Sequence, residues 1–266
     1  MNKTRLPVFF LSHGGGPWPY IDEMHKQFTQ SDLEFRKMAK NLPEKPVSII
    51  VISGHWQTPE FRVSSAKTPA MEYDYFGFPE HTYHISYPAP GSPYLAQKII
   101  DLLTLSGIPC TPDAQRGFDH GIFVPMVIMY PEADIPIVSI SIKSDFNPTE
   151  HLRLGEALIP LRNEGVLIIG SGLTYHNLPK FGSKEASSVS KIFENWLNTS
   201  ISETDVQTRN KNLINWEHAP EARKAHPRED HLIPLLVIAG AAGENIGRRI
   251  FLEHVWNVTM ASYSFG

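Results

Sequence analysis

The apolar positions of the chain fall into short, nearly unbroken runs separated by longer stretches with helical spacing. PVFFLS (7–12), VSIIVIS (47–53), IPIVSISI (135–142) and VLIIGS (166–171) are rich in β-branched residues. Runs apolar at successive rather than alternate positions read as strands covered on both faces, as in a largely parallel buried sheet. Between them, residues 20–40, 92–107, 151–165 and 184–200 carry helix-like spacing, and several of these stretches end at Gly, a common helix stop. The alternation predicts an α/β fold, with a mostly parallel central sheet flanked by helices. Residues 71–91, MEYDYFGFPEHTYHISYPAPG, are too crowded with aromatics, Pro and Gly for a helix. They predict an ordered irregular loop of the kind that walls a pocket.

The length of 266 residues suits one catalytic-sized domain over 1–266, and no repeat or linker-like tract argues for a boundary. A net charge of −4 without a long Lys/Arg run excludes the electrostatic footprint of a nucleic-acid binder. No segment approaches the roughly 18 consecutive apolar residues of a membrane span. The apolar part of the first residues is too short for a signal peptide, so a cytoplasmic protein is expected. Nothing in the pattern speaks to oligomeric state. Cys110 is the only cysteine, so any metal must be held by nitrogen and oxygen.

The twelve histidines therefore matter by position. His13 follows the first apolar run, His55 follows the second after Gly54, and His176 follows the fourth after a short turn. Ligand crevices in open α/β sheets lie outside the carboxyl ends of strands, so these three are expected to face one site. Gly14–Gly16 and Gly170/Gly172 permit sharp turns there; a phosphate cradle is the alternative for such turns, but neither matches a complete phosphate-binding fingerprint. In HPREDHLIPLLVIAGAAG (226–243), Asp230 is placed to cap a helix starting at His231, with Pro234 in its first turn. The helix dipole there favours neutral imidazole, the metal-binding form. His120 precedes another apolar run and follows Asp119, an acid placed to orient it. His25, His151 and His254 read as surface residues, and His81, His84 and His218 as exposed loop residues.

Together, SHGGG (12–16), SGHW (53–56), DHG (119–121), GSGLTYHNL (170–178) and HPREDHLIPLL (226–236) resemble the DODA-type class III extradiol ring-cleaving dioxygenases of the LigB superfamily. The motifs stand in that family's order over almost the whole chain, and GFP (77–79) and YPAPG (87–91) extend the likeness. The resemblance implies a LigB-like fold and insertion of O₂ into a catechol-type ring, DOPA-like or related, at one mononuclear non-haem metal. It implies His13, His55 and His231 as metal ligands, His176 as the acid/base and His120 as a substrate- or oxygen-binding residue. His226, Tyr175 and Phe78 become candidates for the surrounding shell or the substrate wall. An imidazole, with an ordinary pKa near neutrality, suits both deprotonating a diol and returning a proton.

Fe(II) is the metal implied by this activity, yet three histidines depart from the common two-histidine, one-carboxylate iron pattern. Three histidines with water also describe catalytic Zn(II), which keeps a zinc hydrolase as an alternative. Glu229 or Asp230 would supply a carboxylate if one were a ligand. Memo-like members of the superfamily without established dioxygenase activity keep a non-catalytic metal-binding module as a further alternative. Tyr73, Tyr75, Phe76, Phe78 and Tyr83 would either wall an aromatic substrate or anchor their loop to the core.

Overall fold

A computed structural model describes residues 4–266. The four expected strands form as β1 (Val8–Ser12), β2 (Ser48–Thr58), β5 (Ile137–Lys143) and β6 (Val166–Gly172). They are joined by β3 (Phe61–Ser64), β4 (Cys110–Asp113), β7 (Gly247–Val255) and β8 (Val258–Phe265) in one eight-stranded sheet of order β4-β3-β5-β2-β6-β1-β8-β7. The central run β5-β2-β6-β1 is parallel throughout, and β7 and β8 form an antiparallel hairpin on the β1 edge. Every residue of β1 and β6 is buried, as unbroken apolar runs require.

The helices follow their local signals. Ser92, Asn147 and Ser183 cap the helices Pro93–Leu105, Pro148–Arg162 and Lys184–Ile201 by accepting backbone N–H bonds. Residues 20–40 do not form one helix: a four-residue turn, Asp22–His25, is separated from the helix Thr29–Lys40. Two helices, His120–Met129 and Ile233–Ala242, are apolar all round and almost entirely buried. The second packs against Pro148–Arg162 and lies on β6, β1 and β2. Among the described residues, no helix is long and apolar enough to cross a membrane.

Two expectations are corrected here. The helix after His231 begins only at Ile233, and Asp230 does not cap it; its carboxylate instead accepts the His231 N–H at 3.0 Å. His151 is fully buried, not on the surface: Nδ1 faces the Asn147 carbonyl at 2.7 Å and Nε2 accepts the Lys143 N–H at 3.0 Å. Burial holds its pKa down at about 4.

Candidate metal centre

The neighbouring strands β2, β6 and β1 deliver their carboxyl ends to one edge of the sheet, and the histidines assemble there. His13 leaves β1 directly, with its N–H on the Gly172 carbonyl (3.0 Å) and its carbonyl on Trp18 Nε1 (2.8 Å). His55 lies within β2 rather than after it. The register of β2 against β5 shifts between Ile52 and Gln57, and this irregularity re-aims the ring.

His231 comes from the segment ahead of the Ile233 helix and is threaded between two bare backbones. A Cβ on Gly54 would stand 2.8 Å from the Asp230 carbonyl oxygen, and one on Gly172 would stand 2.0 Å from that of His231. The latter carbonyl accepts the Leu173 N–H at 3.0 Å. The two glycines thus permit the close approach that carries His231 to the other two rings.

His13 Nε2 and His231 Nε2 each lie 3.2 Å from His55 Nε2. The contact between His13 and His55 is not a hydrogen bond, as the opposite ring nitrogens show. Pro125, inside the helix His120–Met129, has no N–H for the Gly121 carbonyl one turn back, and the Ser171 hydroxyl donates to that carbonyl instead. With its one hydrogen so used, Ser171 Oγ must accept from His13 Nδ1 at 2.9 Å. His55 Nδ1 lies 3.0 Å from Asp74 Oδ2, a group that only accepts. Both rings therefore carry their proton on Nδ1 and turn bare Nε2 lone pairs towards each other, an arrangement that a cation between them resolves. At metal–nitrogen distances of about 2.1 Å, ligand nitrogens stand about 3.0 Å apart at right angles and about 3.4 Å apart at the tetrahedral angle. The observed 3.2 Å falls between, so the residues fit a divalent metal.

The electrostatics agree. Burial, then repulsion by neighbouring histidines, holds His13 and His231 well below the ordinary imidazole pKa, and lowers His55 to about 4 against the opposing pull of Asp119 and Asp74. Neutral rings at pH 7 are ready to bind metal without first releasing a proton.

Nitrogens of His13, His55 and His120 also lie within 4.8 Å of one another, as do ligand atoms of His176, Asp230 and His231. These sets share members with the 3.2 Å chain and describe its surroundings. His120 is oriented by Asp74, not Asp119: Asp74 Oδ1 accepts its backbone N–H at 3.0 Å and faces its Nδ1 at 2.8 Å. Asp119 is instead bound by Ser53 Oγ (2.8 Å) and by Arg116. His176 stacks on His231 with ring centroids 3.5 Å apart, and Asp230 Oδ1 lies 3.4 Å from its Nδ1 and 3.3 Å from that of His231. The His231 contact is not aligned as a hydrogen bond and leaves that Nδ1 without a partner, so Asp230 acts on it as a nearby charge. Burial alone would raise the carboxyls of Asp74 and Asp230, but the histidines beside each hold them below the usual range.

His13, His55, His120, His176 and His231 all line one cavity of about 550 Å³, a size suited to a small molecule. Phe78, Tyr75 and Phe76 line it too, whereas Tyr73 and Tyr83 pack around Tyr75 as loop anchors. Tyr175 is buried against Phe181 and does not reach the cavity. His226 is buried between Phe193 and Trp216 with Nε2 on the Thr174 carbonyl (3.1 Å), and burial lowers its pKa to about 3. Asp74 and Ser171 escaped the sequence reading; the one visible signal was an acid, Asp74, set among the aromatics of a pocket-walling loop.

Residues 7–264 match the family model described as the catalytic LigB subunit of aromatic ring-opening dioxygenase. The chain is 40% identical over 263 residues to the 4,5-DOPA dioxygenase extradiol of Beta vulgaris, covering 96% of this chain and 94% of that protein. It is 39% identical to the dioxygenase tasH of Hapsidospora irregularis (99% and 87% covered) and 34% identical to the 4,5-DOPA dioxygenase extradiol of Escherichia coli K12 (91% and 87%). The crystal structure of the uncharacterized protein JW3007 from Escherichia coli K12 superposes with a TM-score of 0.80 at 29% identity, covering 98% of this chain and 100% of that one.

Proposed function

From the premise that this chain belongs to the LigB family of aromatic ring-opening dioxygenases, we propose that it opens a catechol ring beside its two hydroxyls at a single Fe(II) held by His13, His55 and His231. The observation that carries the ligand assignment is the pair of 3.2 Å contacts joining the Nε2 atoms of the three rings, with the protons of His13 and His55 committed to the far side of their rings. When bound, the metal supplies the redox and Lewis-acid chemistry that joins an aromatic diol to O₂.

The chain's own contribution is placement and proton transfer. His176, stacked on His231 and backed by Asp230, faces the cavity where a diol would shed a proton, and it is the acid/base of this proposal. Asp230 offsets the positive charge that His176 acquires in taking that proton. His120, its Nδ1 fixed by Asp74, presents its other nitrogen to substrate or oxygen. Apolar walls from Phe78, Phe181 and Met260 limit water around the reacting ring. We read residues 1–266 as one catalytic domain.

The test is anaerobic reconstitution with Fe(II) and, separately, with Zn(II), followed by aerated catechols and measurement of O₂ uptake and yellow ring-opened product. Iron-dependent uptake with colour is expected. Metal-loaded protein that consumes no O₂ with either metal would favour a hydrolase or a binding module.

A further inference from the structure

The turn joining β7 to β8 consists of two residues, Trp256 and Asn257, between the paired Val255 and Val258. Both have positive φ, 47° and 59°. This is the signature of a type I′ hairpin, where glycine, asparagine and aspartate are at home. Asn257 fits; a bulky aromatic at Trp256 is a backbone outlier. The turn is held from outside: the Gly182 N–H donates to the Trp256 carbonyl at 2.7 Å, and Asn257 Nδ2 donates to the Gly182 carbonyl at 2.8 Å. Strained backbone that its surroundings enforce points to a use for the side chain.

That side chain reaches the cavity. Its indole packs edge-on to Phe28 (5.8 Å between centroids) and lies 6.2 Å from Phe181, both cavity walls. Its Cζ3 atom lies 3.9 Å from where a Gly15 Cβ would stand, two residues beyond His13. Trp256 nevertheless remains 40% exposed, and two other cavity residues, Phe76 (91%) and Leu178 (59%), are exposed apolar side chains as well. Among the described residues, no Lys or Arg lines this cavity; its charged members are Asp74 and Asp230, each engaged by histidines. A carboxylate on the substrate would find acidic neighbours and no strong cation, whereas an uncharged apolar group would cover indole and phenyl surface otherwise left to water.

We infer that Trp256 is a specificity-determining residue, and that the preferred substrate is a catechol bearing an uncharged, apolar substituent which lies against its ring. This rests on the ring-cleavage reading for the catechol portion only; the substituent preference is read in binding, independently of turnover. The experiment compares 4-butylcatechol with 4-carboxymethylcatechol by anaerobic calorimetry on the metal-loaded protein, wild type and Trp256→Asn, alongside kcat/KM in the Fe(II) form.

Wild type is expected to bind the butyl compound at least tenfold more tightly than the carboxymethyl compound. Trp256→Asn is expected to reduce that ratio at least fivefold and to stay folded, because Asn accepts the positive φ of the turn, which offsets packing lost against Phe28 and Phe181. Equal or tighter binding of the carboxymethyl compound by wild type would overturn the inference, whether or not the variant folds. An unchanged ratio in a folded variant would remove Trp256 from the role. Ring opening of neither compound would count against the dioxygenase reading, and the binding order would still decide this one.

Discussion

Replacing Asp74 by Asn should weaken metal binding more than removing the Ser171 hydroxyl, the other hydrogen-bond partner behind a proposed ligand. One carboxylate faces two imidazoles, His55 Nδ1 at 3.0 Å and His120 Nδ1 at 2.8 Å, and also accepts the His120 N–H. An Asn amide is nearly isosteric but presents one oxygen and one NH₂, so one imidazole would meet a donor. If that ring is His55, its proton is driven to Nε2, the atom that would bind the proposed metal. Loss of a partner behind a metal-bound histidine typically costs roughly 10–100-fold in affinity, about 1.4–2.8 kcal/mol at about 1.4 kcal/mol per tenfold. Ser171→Ala provides the scale: it removes a neutral hydrogen bond behind His13, worth about 1 kcal/mol, or roughly fivefold. Competition with a chelator of known affinity, using Zn(II) to avoid oxidation, measures both variants against wild type. An Asp74→Asn affinity within twofold of wild type, or a larger loss in Ser171→Ala, would refute the reasoning that charge behind His55 and His120 prepares the site.

Further outcomes follow from the same geometry. His176→Gln should retain one metal per chain, since the ring lies outside the 3.2 Å nitrogen chain, yet lose turnover by at least 100-fold; full activity in a metal-loaded variant would remove its acid/base role. Gly172→Ala sets a methyl 2.0 Å from the His231 carbonyl oxygen, so it should lower Tm and metal occupancy together; normal occupancy by elemental analysis would contradict the close-approach argument. His151 and His226 are buried neutral, with pKa values lowered to about 4 and about 3. The unfolded chain takes up protons near pH 6.5 that these native rings refuse, so their stability contribution is complete above pH 6.5 and is lost as pH falls from there towards about 4 for His151 and about 3 for His226. Metal-free Tm should decline over that window, and less steeply in His151→Gln; parallel curves would exclude the residue from the effect.

The central strands and the site's edge were legible because burial on both faces leaves continuous apolar runs, and because His13 follows such a run directly and His176 after a short turn. The β7–β8 hairpin was not, since its turn is Trp-Asn rather than a glycine pair and Arg248, Arg249 and Glu253 interrupt the apolar pattern. His151 looked like a surface residue because helical sequence alone does not show which polar side chain finds partners at both nitrogens. Asp119 was the natural partner for His120 by adjacency, yet a residue 46 positions away holds it, because the aromatic loop folds back over the helix start. Contacts made across a folded loop leave no local signal.

The most direct test of the central claim is a crystal of the anaerobically Fe(II)-loaded protein measured on both sides of the iron absorption edge. A single anomalous peak about 2.1 Å from Nε2 of each of His13, His55 and His231 is the predicted result. A peak held by His13, His55 and His120 without His231, or one among His176, Asp230 and His231, would contradict it.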